Sequence, residues 1–187
     1  LSYAITGTPA SGGTASFALN IGGQTCTLDV FVCSTGCCAK VSATEYKNFL
    51  CHNLGAANTI ADPFTLTWEI NGGYWQWGRK VQAAAGPTGS GSSQANGGVV
   101  SGWNTTDAAN GSWADGSKTG NDPCPAGYRV PTQAQWDGVV ANNTPTYVGT
   151  FNTSATNYEA GIKFGDQLML PAAGYRDSGD GTWLHRG

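Results

Sequence analysis

The sequence predicts an α+β protein with two short helices, small antiparallel sheets and a long loop region, preceded by a short β-rich segment. Three observations carry the prediction. Two helix starts are spelled out by capping chemistry, at Thr132 with Gln135 and at Ser42 with Glu45, each pair three residues apart as a capping box requires. Several stretches alternate apolar and polar residues with the period of a strand. Finally, 28 Gly and 8 Pro in 187 residues interrupt the chain too often for further long helices.

Taken from the N-terminus, Tyr3-Ala-Ile-Thr, Thr14-Ala-Ser-Phe-Ala-Leu-Asn-Ile and Thr25-Cys-Thr-Leu-Asp-Val-Phe-Val alternate between Gly-rich turns and read as two or three strands. They offer too little apolar surface for an independent sandwich, so residues 1–34 must pack on the main domain, residues 35–187, or on a neighbour. Val41-Ser-Ala-Thr-Glu-Tyr-Lys-Asn-Phe-Leu50 is the first helix, with Tyr46, Phe49 and Leu50 as its apolar stripe, Val41 stapled to Tyr46 and Gly55 just beyond its end. Phe64 to Ile70 alternates as a strand, Asn71-Gly-Gly is a turn, and Tyr74-Trp-Gln-Trp-Gly-Arg-Lys80 reads as the return strand. From Ala83 to Asp122 the chain is rich in Gly, Ser, Asn and Asp, with Val99, Val100, Trp103 and Trp113 as its large apolar residues. So long a loop in a compact domain is functional or unstructured, and the tryptophans favour a folded-back loop. The second helix follows Thr132, with Trp136, Val139 and Val140 at helical spacing, and ends near Asn142-Asn-Thr-Pro145. Leu168 to Tyr175 reads as a buried strand, and Asp177-Ser-Gly-Asp-Gly181 as a tight turn into Thr182-Trp-Leu.

With 40% apolar and only 11% charged residues, the surface is polar but uncharged, a texture commoner in secreted proteins. A net charge of -3 with no basic cluster supplies no electrostatic footprint for nucleic acid or an anionic membrane. No run approaches the ~20 apolar residues of a membrane span. Leu1-Ser-Tyr-Ala-Ile-Thr lacks a starting Met and a charged leader, the expectation for a mature or internal portion of a longer product.

Six cysteines, Cys26, Cys33, Cys37, Cys38, Cys51 and Cys124, are all disulfide candidates in an oxidising compartment, and their spacing leaves the connectivity open. A structural metal is the minor alternative, because no Cys-x-x-Cys pair is followed by a second and His52 and His185 stand apart. Adjacent Cys37 and Cys38 are expected to take different partners, since a bridge between neighbours strains the backbone. No catalytic residue is identified: His52 follows Cys51 directly, where side chains diverge, and reads as a capping or core hydrogen-bonder. The Asp177 to Asp180 turn lacks the ligand spacing of a calcium loop and reads as a hairpin turn, so no cofactor is expected.

The tryptophans divide into two kinds. Trp75 and Trp77 share a strand face and read as a core ladder. Trp103 and Trp113 sit in a polar loop beside Asn104, Asp107 and Asp115, where aromatic faces next to amides and carboxylates suit the stacking and hydrogen bonding of a sugar. The competing reading is that both simply pin the loop. The candidate ligand-binding residues are therefore Trp103, Asn104, Asp107 and Trp113. Sequons at Asn104, Asn110, Asn142 and Asn152 carry meaning only in a host that glycosylates them.

Four motifs in order, Cys51-His-Asn-Leu-Gly55, Trp68-Glu-Ile-Asn-Gly-Gly-Tyr-Trp-Gln-Trp-Gly-Arg79, Asp122-Pro-Cys-Pro-Ala-Gly-Tyr-Arg-Val-Pro-Thr132 with Trp136, and Leu168-Met-Leu-Pro-Ala-Ala-Gly-Tyr-Arg-Asp-Ser-Gly-Asp-Gly181, resemble the Fibrobacter succinogenes major paralogous domain, found widely in Bacteroidota surface proteins. The resemblance covers about residues 37 to 187. It implies a C-type-lectin-like fold related to formylglycine-generating enzymes, two helices flanking small sheets, and a place in large secreted adhesins, with residues 1–34 as the end of the β-rich repeat or sandwich that often precedes such a domain. It also implies a Gly-x-Tyr-Trp-Ser-Ser motif and a cysteine-bearing final strand beyond Leu184-His-Arg-Gly187 that are not among these residues, leaving Cys51 or Cys124 without its partner. The catalytic cysteines of formylglycine-generating enzymes fall in that same portion. The expectation is a non-enzymatic extracellular or cell-surface module for adhesion and for binding glycan or a surface protein. A structural subunit of a filament or surface assembly, pairing with its own copies or neighbouring repeats, is the first alternative; an enzyme relative of the formylglycine-generating type is the second.

Overall fold

The computed structural model describes residues 12–33, 36–89 and 97–185. Among them it is a mixture of small antiparallel sheets with a single α-helix, an α+β arrangement. The Tyr3 to Thr6 strand expectation lies outside the described residues.

Strands β1 (Gly13–Ile21) and β2 (Gln24–Val32) form an antiparallel hairpin around Gly22 and Gly23, whose φ values of 60° and 82° give the two-residue turn that matches strand twist. Direct pairing of Ala15 with Val30, Phe17 with Leu28 and Leu19 with Cys26 collects the apolar side chains on one face. The opposite face is polar, with Ser16 Oγ donating to Asp29 Oδ1 at 2.6 Å. Phe31, on that second face, stacks on Tyr46 with ring centroids 3.8 Å apart, and the Cys33–Cys38 disulfide fastens the hairpin base.

The first expected helix does not form. Residues Cys38–Lys40 (β3) and Tyr46–Asn48 (β4) instead pair antiparallel, Cys38 with Asn48 and Lys40 with Tyr46. The Ser42 hydroxyl does accept from the Glu45 amide at 3.1 Å, but Val41 N–H also donates to Glu45 O at 2.9 Å, so the capping residues close a turn. A helix this short is not stable by itself. The Cys37–Cys51 disulfide and the Phe49 N–H bond to Cys37 O hold the segment folded back. The side chains assigned to one helical stripe thus separate: Tyr46 meets Phe31, while Phe49 packs on Trp136.

The expected hairpin of 64–80 is displaced by one unit. The Asp62 carboxylate accepts from the Phe64 amide and the Thr65 hydroxyl, winding the chain into a turn, and Trp68–Ile70 is a 3-10 turn. Buried Asn71 fixes it by donating from Nδ2 to Thr67 O at 2.9 Å. The strand pair is β5 (Tyr74–Trp75) with β6 (Gln82–Ala84).

Helix α1 (Gln133–Asn142) starts as expected, with both arms of the capping box closed: Gln135 N–H donates to Thr132 Oγ1 at 3.1 Å and Thr132 N–H to Gln135 Oε1 at 3.0 Å. Val139 is fully buried, but Val140 is 60% exposed and off the buried face. Gly138 lets the helix lie against β3's end, since a Cβ there would stand 2.0 Å from Val41 O. Asn143 ties the helix end to the same strand, accepting from Lys40 N–H and donating to Lys40 O. Strands β7 (Pro145–Val148), β8 (Gly161–Phe164) and β9 (Leu168–Pro171) form a meander. Ala39, Val139, Phe164 and Leu168 make the core, flanked by Val41, Phe49, Trp136, Ile162 and Leu170. The expected strand from Leu168 stops at Pro171; β10 (Tyr175–Arg176) and β11 (Trp183–Leu184) make the final hairpin. Its turn is the Asp177 to Gly181 segment, with Asp177 N–H donating to Thr182 O and Gly181 N–H to Asp177 O.

Two disulfides are present, Cys33–Cys38 and Cys37–Cys51, so the adjacent cysteines do take different partners. Of the six disulfide candidates, Cys26 and Cys124 are free thiols, and Cys51, the other cysteine expected to lack a partner, is paired. Cys26 lies exposed on β2, and Cys124 lies half-buried in the turn before α1.

Candidate functional site

The site is organised by a buried carboxylate. Asp122, 4% exposed, accepts from Lys118 Nζ, Cys124 N–H and Val130 N–H, all at 2.9 Å. Lys118 donates in addition to Cys124 O at 2.6 Å and Tyr128 O at 2.9 Å. Burial alone raises the Asp122 pKa, but the Lys118 hydrogen bond and the Val130 and Cys124 amides outweigh it and hold the carboxyl below its ordinary value. The Asp-Pro-Cys-Pro turn is thereby locked, and the loop before it follows. Arg129 donates to Ala114 O, Thr119 Oγ1 to Ser112 O, and Trp113 Nε1 to Asn121 O at 2.9 Å.

Trp113 is placed against Trp77, with ring centroids 6.4 Å apart and planes at 59°. Trp77 itself is 50% exposed, so the expected Trp75 and Trp77 core ladder is half wrong. A two-residue strand on the surface has no second sheet to cover it. Trp75 is partly buried, its indole N–H donating to Lys80 O at 3.2 Å.

Further up the loop, residues 97–103 add to the last hairpin: Trp183 N–H donates to Gly97 O, Val100 N–H to Asp180 O, and Trp103 Nε1 to Ser178 O at 2.9 Å. Gly181, with φ of 77°, lets the Trp103 ring lie on the turn, since a Cβ there would meet Trp103 Cε3 at 2.6 Å. The following residues bridge to β5: Gln76 Nε2 donates to Asn104 O at 2.7 Å and Arg79 Nη2 to Thr106 O at 2.7 Å. The long loop is thus ordered where it is described, as its tryptophans suggested.

Between these surfaces lies an open cleft of about 640 Å³. It is lined by the aromatic residues Tyr74, Trp75, Trp77, Trp103 and Tyr175 and by the polar Gln76, Arg79, Asn104, Thr106, Asp107 and Arg176. Tyr175 is 53% exposed. Asn104 Oδ1 accepts from Thr106 N–H at 2.9 Å. Among the described residues no hydrogen bond engages the exposed Asp107 carboxylate.

Of the four residues expected to bind ligand, Trp103, Asn104 and Asp107 are brought together in this cleft, while Trp113 supports Trp77 from outside its wall. Sequence reasoning missed Trp77, Gln76, Arg79, Tyr175 and Arg176. The signal available was the Gly78-Arg79-Lys80 run, too polar for the end of a core strand.

A second concavity of about 580 Å³ lies between Phe49, Leu54, Tyr128, Trp136 and Leu168, with Cys124 in its lining. It continues the core's apolar surface; of its cations, Lys118 and Arg129 are held by backbone carbonyls and Lys47 pairs with Glu45. Burial, reinforced by the Asp122 carboxylate, pushes the Cys124 thiol up to about 11, the opposite of an activated nucleophile. His52 donates from Nε2 to Ala61 O at 2.8 Å, the hydrogen-bonding role expected of it. Among the described residues no group of three or more His, Cys, Asp or Glu could hold a metal ion, and no helix is long and apolar enough to cross a membrane. Comparison with protein-family models, with curated proteins and with solved structures returned no match.

Proposed function

We propose that this chain is a non-enzymatic, extracellular module of a larger secreted or cell-surface protein, and that it binds glycan, as free polysaccharide or on a surface protein, in the cleft between Trp77 and Trp103. The observation that carries the reading is the convergence of half-exposed aromatic rings with the Asn104 amide and the Asp107 carboxylate on one concave surface. A pyranose presents an apolar face to a ring and hydroxyls to amides and carboxylates, so both halves of the cleft's chemistry have a counterpart. The two disulfides accord with an oxidising compartment. The resemblance to the major paralogous domain favours a C-type-lectin-like scaffold and an adhesin context. The raised Cys124 pKa and the engaged His52 favour binding over catalysis.

A glycan array tests this with the wild type, Trp103→Ala, Trp77→Ala and Trp136→Ala, the last changing the other concavity. The expected result is binding lost by at least about tenfold in the first two variants and retained in the third. Equal binding by all four, or by none, sinks the proposal.

One observation favours an assembly role beside it. The apolar face of the β1–β2 hairpin is only partly covered, leaving Leu28 and Val30 about two-fifths exposed at 39% and 40%. If this face packs on a neighbouring module or copy, Leu28→Lys lowers the mass measured by light scattering; an unchanged mass removes the assembly reading.

A further inference from the structure

The charged groups of the cleft point to one class of sugar. Two guanidiniums, Arg79 and Arg176, line it against one carboxylate, Asp107, although the whole chain is net negative. The neighbouring Asp177 and Asp180 keep their charge but are engaged within their own turn, accepting from Gly179 and Thr182 N–H, and neither lines the cleft. Arg176 is held as part of the wall, donating from Nη1 to Gly181 O at 3.0 Å with its guanidinium 4.9 Å from the Tyr74 ring centroid. Arg79 is different. Its Nη2 is anchored to Thr106 O, its side chain lines the cleft, and among the described residues no carboxylate pairs with it, so the other N–H donors of its planar fork are available to a ligand there.

Resting on the glycan reading above, we infer that the cleft selects acidic glycans, with Arg79 receiving a carboxylate or sulfate of the sugar. The guanidinium fork matches either anion in a bidentate pair, and Arg176 adds positive potential from the adjoining wall. Trp77 and Trp103 then supply the stacking faces and Asp107 accepts from a ring hydroxyl.

The test uses the whole chain and oligosaccharides of galacturonate, glucuronate and mannuronate, each beside its neutral methyl ester, together with a sulfated galactan oligosaccharide. The best acidic ligand is expected to bind about tenfold or more tighter than its neutral partner, and to lose that margin in about 0.5 M NaCl, where exposed charges are screened. Arg79→Gln, which keeps a donor for Thr106 O, should also abolish the margin, and Arg79→Lys should restore part of it. Neutral and acidic sugars bound alike by the wild type, with no salt dependence, overturn the inference while leaving the glycan reading intact. Binding of none of them, or binding that survives Trp103→Ala, overturns both. Should Arg79→Gln fail to fold, the salt dependence of the wild type decides.

Discussion

Replacing Asp122 by alanine tests how the cleft is held in place. The substitution removes the acceptor of two buried backbone amides, from Cys124 and Val130, and of the Lys118 ammonium. Hydrogen bonds to a charged group contribute about 1.5–3 kcal/mol each, and a buried donor left unpaired costs its full desolvation. Lys118 keeps 35% of its side-chain surface and its two carbonyl partners, so its share is discounted and the two amides set the loss, about 3–5 kcal/mol in all. Domains of ordinary stability hold about 5–15 kcal/mol, so the variant should be close to unfolding. Urea denaturation without reductant, followed by tryptophan fluorescence, measures the difference. The pH dependence provides a second check. The folded Asp122 carboxyl titrates below its ordinary value, so its stabilisation is complete above the unfolded pKa and lost as pH falls through the folded one. The gap between wild type and Asp122→Ala should therefore close in acid. A gap under about 1 kcal/mol at neutral pH, or one that persists unchanged at about pH 2, refutes the reasoning.

Three other outcomes are expected. Cys124, with its pKa pushed up from 9.0 to about 11, should be alkylated about 100-fold more slowly in the folded protein than in urea at mildly alkaline pH, as its thiolate fraction dictates; equal rates would contradict the raised pKa. Thr132→Ala should cost about 1 kcal/mol of stability in the same denaturation experiment, because it removes the hydroxyl that accepts from the Gln135 amide and leaves only the backbone arm of the capping box. Gly181→Ala should displace Trp103 from the turn, exposing its indole and raising acrylamide quenching without reaching the Trp136 region; quenching identical to wild type would show that the ring does not rest there.

Local chemistry was legible where a single motif decides the structure. Thr132 and Gln135 cap a helix that the following sequence also supports, and Asp177 to Gly181 turns because its aspartates bond their own backbone. Ser42 and Glu45 show why the same motif fails elsewhere. The capping hydroxyl finds its amide, yet the Cys37–Cys51 cross-link and the β3 pairing decide the chain's path, and neither is encoded locally. Trp77 was misplaced for a related reason: period-two spacing assigns a shared face but not which face meets a core. The candidate site was half legible. Loop residues Trp103, Asn104 and Asp107 stood out by composition, whereas Tyr175 and Arg176 arrive from about 70 residues away, through hydrogen bonds of the Trp103 loop to the last turn. The Asp122 carboxylate gave no sign of burial in a polar Asn-Asp-Pro context, although it fixes the motif that contains it.

The most direct measurement is chemical-shift mapping of the protein as the best oligosaccharide from the array is added. Seven tryptophans give indole N–H signals that report on both concavities. The account predicts that Trp77 and Trp103 shift together with Gln76 and Asn104 while Trp136 stays still. Shifts confined to Trp136 and the Phe49 to Leu54 segment would contradict it and move the binding surface to the other side of the core.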